Sequence, residues 1–486
     1  MKILNFVFLI LLVGLSTSLF SEIDLTEQPS HANKRNQQIL IGLSSGEEEL
    51  MNFQTIRRDS IILPAYTNKF PNDNTYVQLF NSKFNQQKIK VVNRDVIIVL
   101  SRALDYDSLF EALLKIRAAK TFGANHVSVA SPLILSEVKI SGELSHLLVL
   151  EDLLATAGAD FVIENNQTRV IKQKSVKKNP VTNSDYLLGG NNHQELLYEI
   201  SSALKKNAYN MADTQALGDS LKGRKIYWVA ATTEPVNANF FQTLAQTQWL
   251  HSQGAAVHLI LPYLPYARSD KPEFDVGVST QGRLVADLIE SVGTQGITVV
   301  RAHAPQSLGF FKIHSDEISG RETIIKYLKK LDIDCVVSPD AGFQKDATKY
   351  QHELNKAYEK DISSLKKHVC LVVMNKERNS DGQETIKGGT GLENIKNKRV
   401  VIIDDETSSG GTLAQVASWL EHYEPESVRA VVTHLAGPAK KSLESDAIKE
   451  LAVTNTVPIQ VKNKKLTILS IADEIAERIS QYESNY

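Results

Sequence analysis

The sequence has few cysteine, tryptophan and methionine residues and almost no net charge. Among its 486 residues, 54 basic side chains nearly balance 56 acidic ones, which leaves a net charge of −2. Proteins that bind nucleic acid usually show a strong basic bias, so we expect no nucleic-acid partner. The two cysteines, Cys335 and Cys370, each lie in an apolar, strand-like run. We therefore expect them to be buried core residues rather than metal ligands or a disulfide.

The N-terminal 21 residues contain a long apolar run after Lys2, followed by small residues. This layout is typical of a secretory signal peptide cleaved after Ser18 or Ser21, and it predicts export. An uncleaved membrane anchor and a buried N-terminal helix are the alternatives, because the run could just span a bilayer. A cytoplasmic location follows if the leader is not used. The polar stretch 22–37 is predicted to be a flexible linker.

Beyond residue 37, short apolar strands alternate with helical patterns, which predicts mostly parallel sheets flanked by helices. Residues 95–130 and 225–262 repeat the order strand, helix, strand, and we interpret this as an internal duplication. The length suggests about three domains. The predicted units are a first lobe at 38–170, a linker at 171–190, a second lobe at 191–325 and a third lobe at 326–486.

The stretch VVIIDDETSSGGTL, residues 400–413, places two adjacent acids and a run of small residues after a buried strand. A plain strand–turn–helix junction would explain the glycines and hydroxyls. It would not explain the acids. A phosphate cradle explains both, because glycines let backbone N–H groups approach an anion at a helix N-terminus. Asp404 and Asp405 would then hold ribose hydroxyls and a metal beside the phosphate.

Four further stretches accompany this one in a fixed order: LPYLPYARSDKP (261–272), RAHAPQSLGFF (301–311), VVSPDAG (336–342) and MNKERNSDG (374–382). Together the five motifs resemble those of the ribose-phosphate pyrophosphokinases, which make phosphoribosyl pyrophosphate (PRPP). The resemblance covers about residues 186–486. It implies tandem type I phosphoribosyltransferase-like α/β domains, a Mg²⁺-dependent transferase activity, ATP and ribose 5-phosphate as substrates, and a homo-oligomer.

The resemblance also implies roles for single residues. His303 and Asp340 would bind Mg²⁺, and Lys376 and Arg378 would be catalytic residues on a mobile loop. The implied ATP-binding residues are Arg268, Ser269, Asp270, Phe70, Asn72 and Asn74. The implied ribose 5-phosphate site consists of Asp404, Asp405, Ser408, Ser409, Gly410, Gly411 and Thr412. His434, also at a strand end, is expected to be structural.

Three departures from the family pattern leave the function open. Arg301 replaces an Asp two residues before the metal-binding His, and Ser269 replaces a Gln after the phosphate-binding Arg. The adenine-binding hairpin of the family is missing from the second lobe, whereas the first lobe keeps a similar stretch at 69–80. An active enzyme is the first hypothesis. A nucleotide- or PRPP-binding regulator and a PRPP-consuming phosphoribosyltransferase are the alternatives.

Overall fold

The computed structural model describes most of the chain beyond the N-terminal segment. The described residues are 38–44, 61–63, 65–69, 73–79, 91–101, 104–131, 149–164, 167–190, 193–211, 218–273, 278–359, 368–378 and 384–484. The predicted leader (1–21) and linker (22–37), together with Phe70 and Asn72, lie outside the described residues. Within the described part of the chain, no helix is long and apolar enough to cross a membrane.

The first lobe is a six-stranded sheet in the order β2-β1-β5-β6-β7-β8, with a separate hairpin formed by β3 and β4. Its last strand, β8, runs antiparallel to β7, and the other pairs are parallel. Its elements are β1 (Ile39–Gly42), β2 (Ile61–Ile62), β3 (Tyr66–Lys69), β4 (Thr75–Gln78), β5 (Asp95–Val99), α1 (Tyr106–Thr121), β6 (His126–Ala130), α2 (Leu150–Ala157), β7 (Phe161–Glu164) and β8 (Gln167–Val170).

The second lobe is a fully parallel sheet of six strands in the order β10-β9-β11-β12-β13-β14. Its elements are β9 (Asn183–Gly189), α3 (Gln194–Leu204), β10 (Ala208–Asn210), β11 (Arg224–Val229), α4 (Val236–Ser252), β12 (Ala256–Leu261), α5 (Gln281–Ser291), β13 (Thr294–Val300) and β14 (His314–Ile318). Strand β9 lies inside the stretch 171–190 that the sequence predicts as a linker. The predicted linker is therefore too long, because its last residues pair with β11.

The third lobe is a seven-stranded sheet in the order β17-β16-β15-β18-β19-β20-β21, parallel except for the β16–β17 pair. Its elements are α6 (Arg321–Lys330), β15 (Cys335–Ser338), α7 (Gln344–Glu359), β16 (Cys370–Arg378), β17 (Glu384–Thr390), β18 (Arg399–Thr407), α8 (Gly411–Leu420), β19 (Ser427–Leu435), α9 (Lys440–Glu444), β20 (Glu450–Thr454), β21 (Leu466–Leu469) and α10 (Ala472–Ser484). The C-terminal helix α10 leaves this lobe and packs against α3 of the second.

The central strands are apolar over their whole length because helices cover both faces of each sheet. In β18, the run from Val400 to Ile403 is fully buried, and the first carboxylate follows directly at Asp404. In β12, all six residues are buried before the chain turns into the loop that carries Arg268. The predicted α/β architecture is confirmed, and the polar residues lie where the parallel strands end.

The two cysteines differ from the prediction. They lie directly opposite each other on the parallel strands β15 and β16, with Cα atoms 4.5 Å apart, and their sulfur atoms form a disulfide. This Cα separation lies within the range in which a disulfide can form. Cys335 is fully buried, as expected, but the expectation that the pair is not bonded is wrong. Neither apolar run reveals the register that places the two residues side by side.

Candidate functional site

A cavity of about 810 Å³ opens where the three lobes meet. This volume is within the usual range for a small-molecule site. The third lobe contributes the end of β18 and the start of α8, and the second contributes the loop after β12. The first lobe contributes Asn74 and Gln78 from its hairpin. The lining residues used below are Asn74, Gln78, Tyr266, Arg268, Ser269, Asp270, Asp404, Glu406 and the loop Ser408–Thr412.

The loop between β18 and α8 is shaped by a glycine with a positive φ. Gly410 has φ +77°, and a Cβ there would lie 2.6 Å from the backbone nitrogen of Ser442. Only glycine fits this turn without strain. Helix α8 begins at the next residue, so the positive end of its dipole faces the cavity. The predicted anion cradle, Ser408 to Thr412, therefore lines the cavity as one continuous loop.

The two adjacent acids have opposite electrostatic environments. Burial would raise the pKa of Asp405, but a 2.5 Å hydrogen bond from His303 Nδ1 and the charge of His303 lower it to about 2. Burial and the negative charge of Asp405 raise the pKa of Asp404 well above its usual value, and Asp340 adds to this rise. Asp405 is therefore the ionised member of the pair, and Asp404 holds a proton more readily. The structure thus brings His303, a predicted metal ligand, into contact with Asp405, a predicted ribose ligand.

Arg268, predicted to bind phosphates, extends from the second lobe to the third. Its guanidinium forms an ion pair with Glu406, which is 4% exposed and also accepts a 3.3 Å hydrogen bond from Tyr263. Burial raises the pKa of Glu406, and the charge of Arg268 opposes that rise. Glu406 is not among the site residues predicted from the sequence. The third consecutive acid of the DDE run is the feature of the sequence that could have predicted this ion pair, because a buried carboxylate needs a cation.

The neighbours of Arg268 have local roles in the structure. The Ser269 hydroxyl accepts a 3.3 Å hydrogen bond from the backbone of Gln281 at the first turn of α5. Asp270 accepts one of 2.8 Å from the side chain of Gln306. Both residues nevertheless line the cavity, so they remain close to anything that occupies it.

Arg301, the departure that would place a positive charge beside a metal, pairs with an acid of the third lobe, and its charge also lowers the pKa of Asp405. Its guanidinium lies 2.7 Å from Asp346 on α7 and stacks over Phe343, and its backbone has φ +40°. Asp346 therefore compensates its charge. His434 is buried and donates from Nε2 to the Arg301 carbonyl over 2.8 Å, and burial lowers its pKa to about 4. These contacts agree with a structural role for His434.

Asp340 and Lys376 form an ion pair, with Nζ 3.4 Å from Oδ2. Asp340 also accepts a 3.1 Å hydrogen bond from the backbone of Phe343, so it caps the turn that precedes α7. Lys376 and Arg378 belong to strand β16 and pair with β17, so the predicted loop does not include them. The side chain of Arg378 and residues 379–383 lie outside the described part. The structure therefore brings one of the two predicted catalytic residues to one of the two predicted metal ligands.

The described residues contain no group of three or more His, Cys, Asp or Glu side chains that could hold a metal by themselves. Mg²⁺ commonly takes only one or two carboxylates and completes its shell with phosphates and water. His303 has the orientation found in metal-binding histidines, in which one ring nitrogen bonds a carboxylate and the other remains for the metal. The available side chains therefore fit a Mg²⁺ ion that is also bound by the phosphates of a substrate. They do not fit an ion that is bound by protein side chains alone.

Comparison with known proteins assigns two parts of the chain. Residues 186–293 match the N-terminal domain of ribose phosphate pyrophosphokinase, and residues 327–467 match the phosphoribosyl transferase domain. A protein of Dictyostelium discoideum named ribose-phosphate pyrophosphokinase A is 31% identical over 310 residues, which are 60% of this chain and 93% of that one. The ribose-phosphate pyrophosphokinase of Caldanaerobacter subterraneus is 29% identical over 317 residues, covering 61% and 94%.

A solved structure shares the fold. The crystal structure of phosphoribosylpyrophosphate synthetase from Mycobacterium smegmatis superposes with a TM-score of 0.52 at 26% identity, covering 63% of this chain and all of that one. The second and third lobes therefore have the predicted tandem, type I phosphoribosyltransferase-like α/β fold. The first lobe has the same strand order as the second. These matches cover nearly the whole length of relatives with about 30% identity, so the chain belongs to the ribose-phosphate pyrophosphokinase family.

Proposed function

We propose that this chain transfers the diphosphoryl group of ATP to the C1 hydroxyl of ribose 5-phosphate, giving PRPP and AMP. The observation that carries the proposal is that one cavity is lined by both the anion cradle at Ser408–Thr412 and the loop of Arg268. Two phosphorylated substrates must lie side by side for this reaction. A cavity with a cationic loop on one wall and an anion cradle on the other is suited to hold them.

The ribose 5-phosphate would occupy the third-lobe side of the cavity. Its phosphate would accept hydrogen bonds from backbone N–H groups around Gly410 and Gly411 at the N-terminus of α8. The carboxyl groups of Asp404 and Asp405 would form hydrogen bonds with the ribose hydroxyls, and the ionised Asp405 would accept them. This arrangement gives the two adjacent acids a role that a simple turn does not.

The ATP phosphates would lie on the second-lobe side, near Arg268, Ser269 and Asp270. In the structure, Arg268 is paired with Glu406. An ATP phosphate would compete with Glu406 for the guanidinium, since a phosphate binds Arg in the same forked geometry as a carboxylate. Phe70, Asn72 and Asn74 from the first lobe would contact the adenine, whose edge both donates and accepts hydrogen bonds, as amides do.

Mg²⁺ would be held by His303 and Asp340 with the substrate phosphates, and would supply positive charge against the transferred group. Lys376 now pairs with Asp340 and would turn its ammonium toward the phosphoryl group when substrates bind. Arg378 would act with it. Both residues stabilise charge that develops in the transition state, so most of the catalysis is positioning and electrostatics.

A regulator that binds nucleotide or PRPP without turnover is the second candidate. The residues that favour this candidate are Arg301 and Ser269, because both depart from the family pattern. The pairing of Arg301 with Asp346 weakens that support, because Asp346 compensates part of the arginine's charge, which also acts on Asp405. A phosphoribosyltransferase would not need the Arg268 loop, and we place it third.

Incubation of the chain with ATP, Mg²⁺ and ribose 5-phosphate, followed by anion-exchange chromatography, tests the proposal. We expect AMP and PRPP to appear together, and Asp405→Asn to reduce both. Binding of ATP with no AMP formed would favour the regulator. The localisation proposal, export or anchoring by residues 1–21, is tested by finding the mature N-terminus of the expressed chain.

A further inference from the structure

The first and second lobes are built on the same plan. In each lobe, the first strand lies between the second strand and the remaining strands of the sheet. The orders are β2-β1-β5-β6-β7 in the first lobe and β10-β9-β11-β12-β13 in the second. Helix α1 follows β5 as α4 follows β11, and α2 lies between β6 and β7 as α5 lies between β12 and β13. The equal orders agree with the duplication predicted from the sequence.

Equivalent helices of the two lobes pack against each other. Helix α1 contacts α4, and α2 contacts α5. When each element of one copy meets its own counterpart in the other, the interface has the pattern of a two-fold symmetric dimer. Here both halves of that pseudo-dimer belong to one chain.

The contact between the lobes is a continuous apolar core. Phe110 of α1 lies 6.0 Å, centroid to centroid, from both Phe240 and Phe241 of α4, and 4.7 Å from Tyr266 in a stacked arrangement. Side chains of both lobes belong to the same buried cluster. An ion pair of 2.8 Å between Arg117 and Asp287 joins α1 to α5. The first lobe is therefore integrated with the second.

The hairpin of the first lobe is fixed to the second by hydrogen bonds. The carboxylate of Asp73 accepts from the backbone N–H of Val236, 3.0 Å away, at the first residue of α4. Asn237 donates to the Thr75 hydroxyl over 3.0 Å, and the backbone of Thr75 donates to the Tyr266 hydroxyl over 3.1 Å. Tyr266 in turn donates to Asn237 over 2.6 Å. These bonds hold β4 at the edge of the cavity.

We propose that the first lobe is a built-in partner: it stands where a second copy of the second lobe would stand in a two-fold pair, and it completes the cavity in cis. Two amide side chains of its hairpin, Asn74 and Gln78, line the same cavity as Arg268 and the anion cradle. Amides both donate and accept hydrogen bonds, so this wall suits a heteroaromatic base better than a phosphate. Gln78 is a specificity residue that the sequence analysis did not identify. The inference rests on the proposed function for the identity of the nucleotide.

The first test compares Gln78→Ala with Gln167→Ala, a matched control on the exposed strand β8 of the same lobe. ATP binding is measured by titration calorimetry at a non-turnover condition without ribose 5-phosphate. Loss of one hydrogen bond predicts about two- to tenfold weaker ATP binding for Gln78→Ala. The ATP affinity of Gln167→Ala should equal that of the unaltered chain. Equal affinity of the two variants, with ATP still bound by the unaltered chain, would overturn the inference. No ATP binding by the unaltered chain would instead contradict the proposed function.

A mixing experiment distinguishes a hairpin that acts in cis from one donated by a neighbouring chain. Gln78→Ala retains Arg268, and Arg268→Ala retains the hairpin. If the hairpin acts in cis, each variant in the mixture binds ATP with the same affinity as it does alone. If chains exchange hairpins, hybrid sites with the affinity of the unaltered chain appear, and the inference is overturned.

A ligand-independent test uses Phe110→Ala in the full chain. Because Phe110 belongs to the core shared by the first two lobes, we expect scanning calorimetry to show both lobes unfolding together, at a lower temperature than in the unaltered chain. Cys335 and Cys370 lie outside this core, so the disulfide does not link these lobes. If the first lobe unfolds in a separate transition while the second remains folded, the built-in partner is overturned.

Discussion

The first two lobes share a strand order but differ at the ends of their strands. In the second lobe, thirteen residues separate β13 from β14, and they include Arg301 and His303. In the first lobe, β7 and β8 are separated by residues 165–166 alone, and β8 runs back antiparallel. The first lobe therefore has no long connection between β7 and β8 that could carry a residue equivalent to His303. The two lobes therefore share the core that pairs them, but they differ in the segment to which we assign metal binding.

This difference separates what packing requires from what catalysis requires. Apolar strands and helices must fill a common core, so their order is the same in both lobes. Loops at the carboxyl ends of the strands can change without loss of the fold, and they determine the function. Substitutions in the second and third lobes should therefore affect turnover or substrate binding strongly, and substitutions in the first should affect ATP affinity mildly.

The largest effect is expected for Lys376→Ala and Arg378→Ala. Removing one donor to a developing charge costs about 2.7–4 kcal/mol, which is roughly a hundred- to thousandfold in turnover. ATP affinity should change far less, because these two side chains act on the transition state. Steady-state kinetics check this, with Lys396→Ala, an exposed lysine of the third lobe, as the control. A rise in the Michaelis constant at unchanged turnover would contradict the assigned roles.

The next largest effect is expected at the anion cradle. Gly410→Val should lower ribose 5-phosphate affinity by at least about tenfold, roughly 1.4 kcal/mol, because a side chain at this positive φ meets Ser442. ATP binding should remain nearly intact. Calorimetric titrations of both ligands check this, and Gly190→Ala, whose new Cβ would make only ordinary contacts at 3.8 Å, is the control. Normal ribose 5-phosphate binding by Gly410→Val would exclude the cradle.

An effect on stability rather than on ligand binding is expected from Asp346→Ala, which breaks the ion pair between the second and third lobes. Arg301 is 9% exposed, so its charge would be left buried without this partner. Removing one member of a fully buried pair costs about 3–5 kcal/mol. Asp346 is partly exposed, and we expect about 2 kcal/mol. Denaturant unfolding measures this loss. Lys349→Ala, which removes an exposed partner of Asp346, should change stability little.

The mildest effect is expected in the first lobe. Phe70→Ala should weaken ATP binding several-fold, because stacking on an aromatic ring contributes about 1 kcal/mol. Turnover at saturating ATP should be nearly normal. Tyr198→Ala, an exposed aromatic residue on α3, is the control for loss of a ring. Identical ATP affinity in the two variants would mean that Phe70 does not contact the nucleotide.

The sequence predicted the parallel sheets, the duplication and the loop at Ser408–Thr412, because local periodicity and turn residues determine them. It did not predict contacts that depend on how distant segments meet. The Cys335–Cys370 bond depends on strand register, and the Arg268–Glu406 pair depends on how two lobes dock. Strand β9 was missed because its short apolar segment follows a polar stretch.

Phosphorus NMR of a single reaction mixture tests the central claim most directly. The chain is incubated with ATP, Mg²⁺ and ribose 5-phosphate, and all phosphorus signals are followed over time. Transfer of the diphosphoryl group predicts that AMP and PRPP appear in equal amounts while ATP and ribose 5-phosphate decline together. Formation of ADP with a ribose bisphosphate, or no change in any signal, would contradict the account.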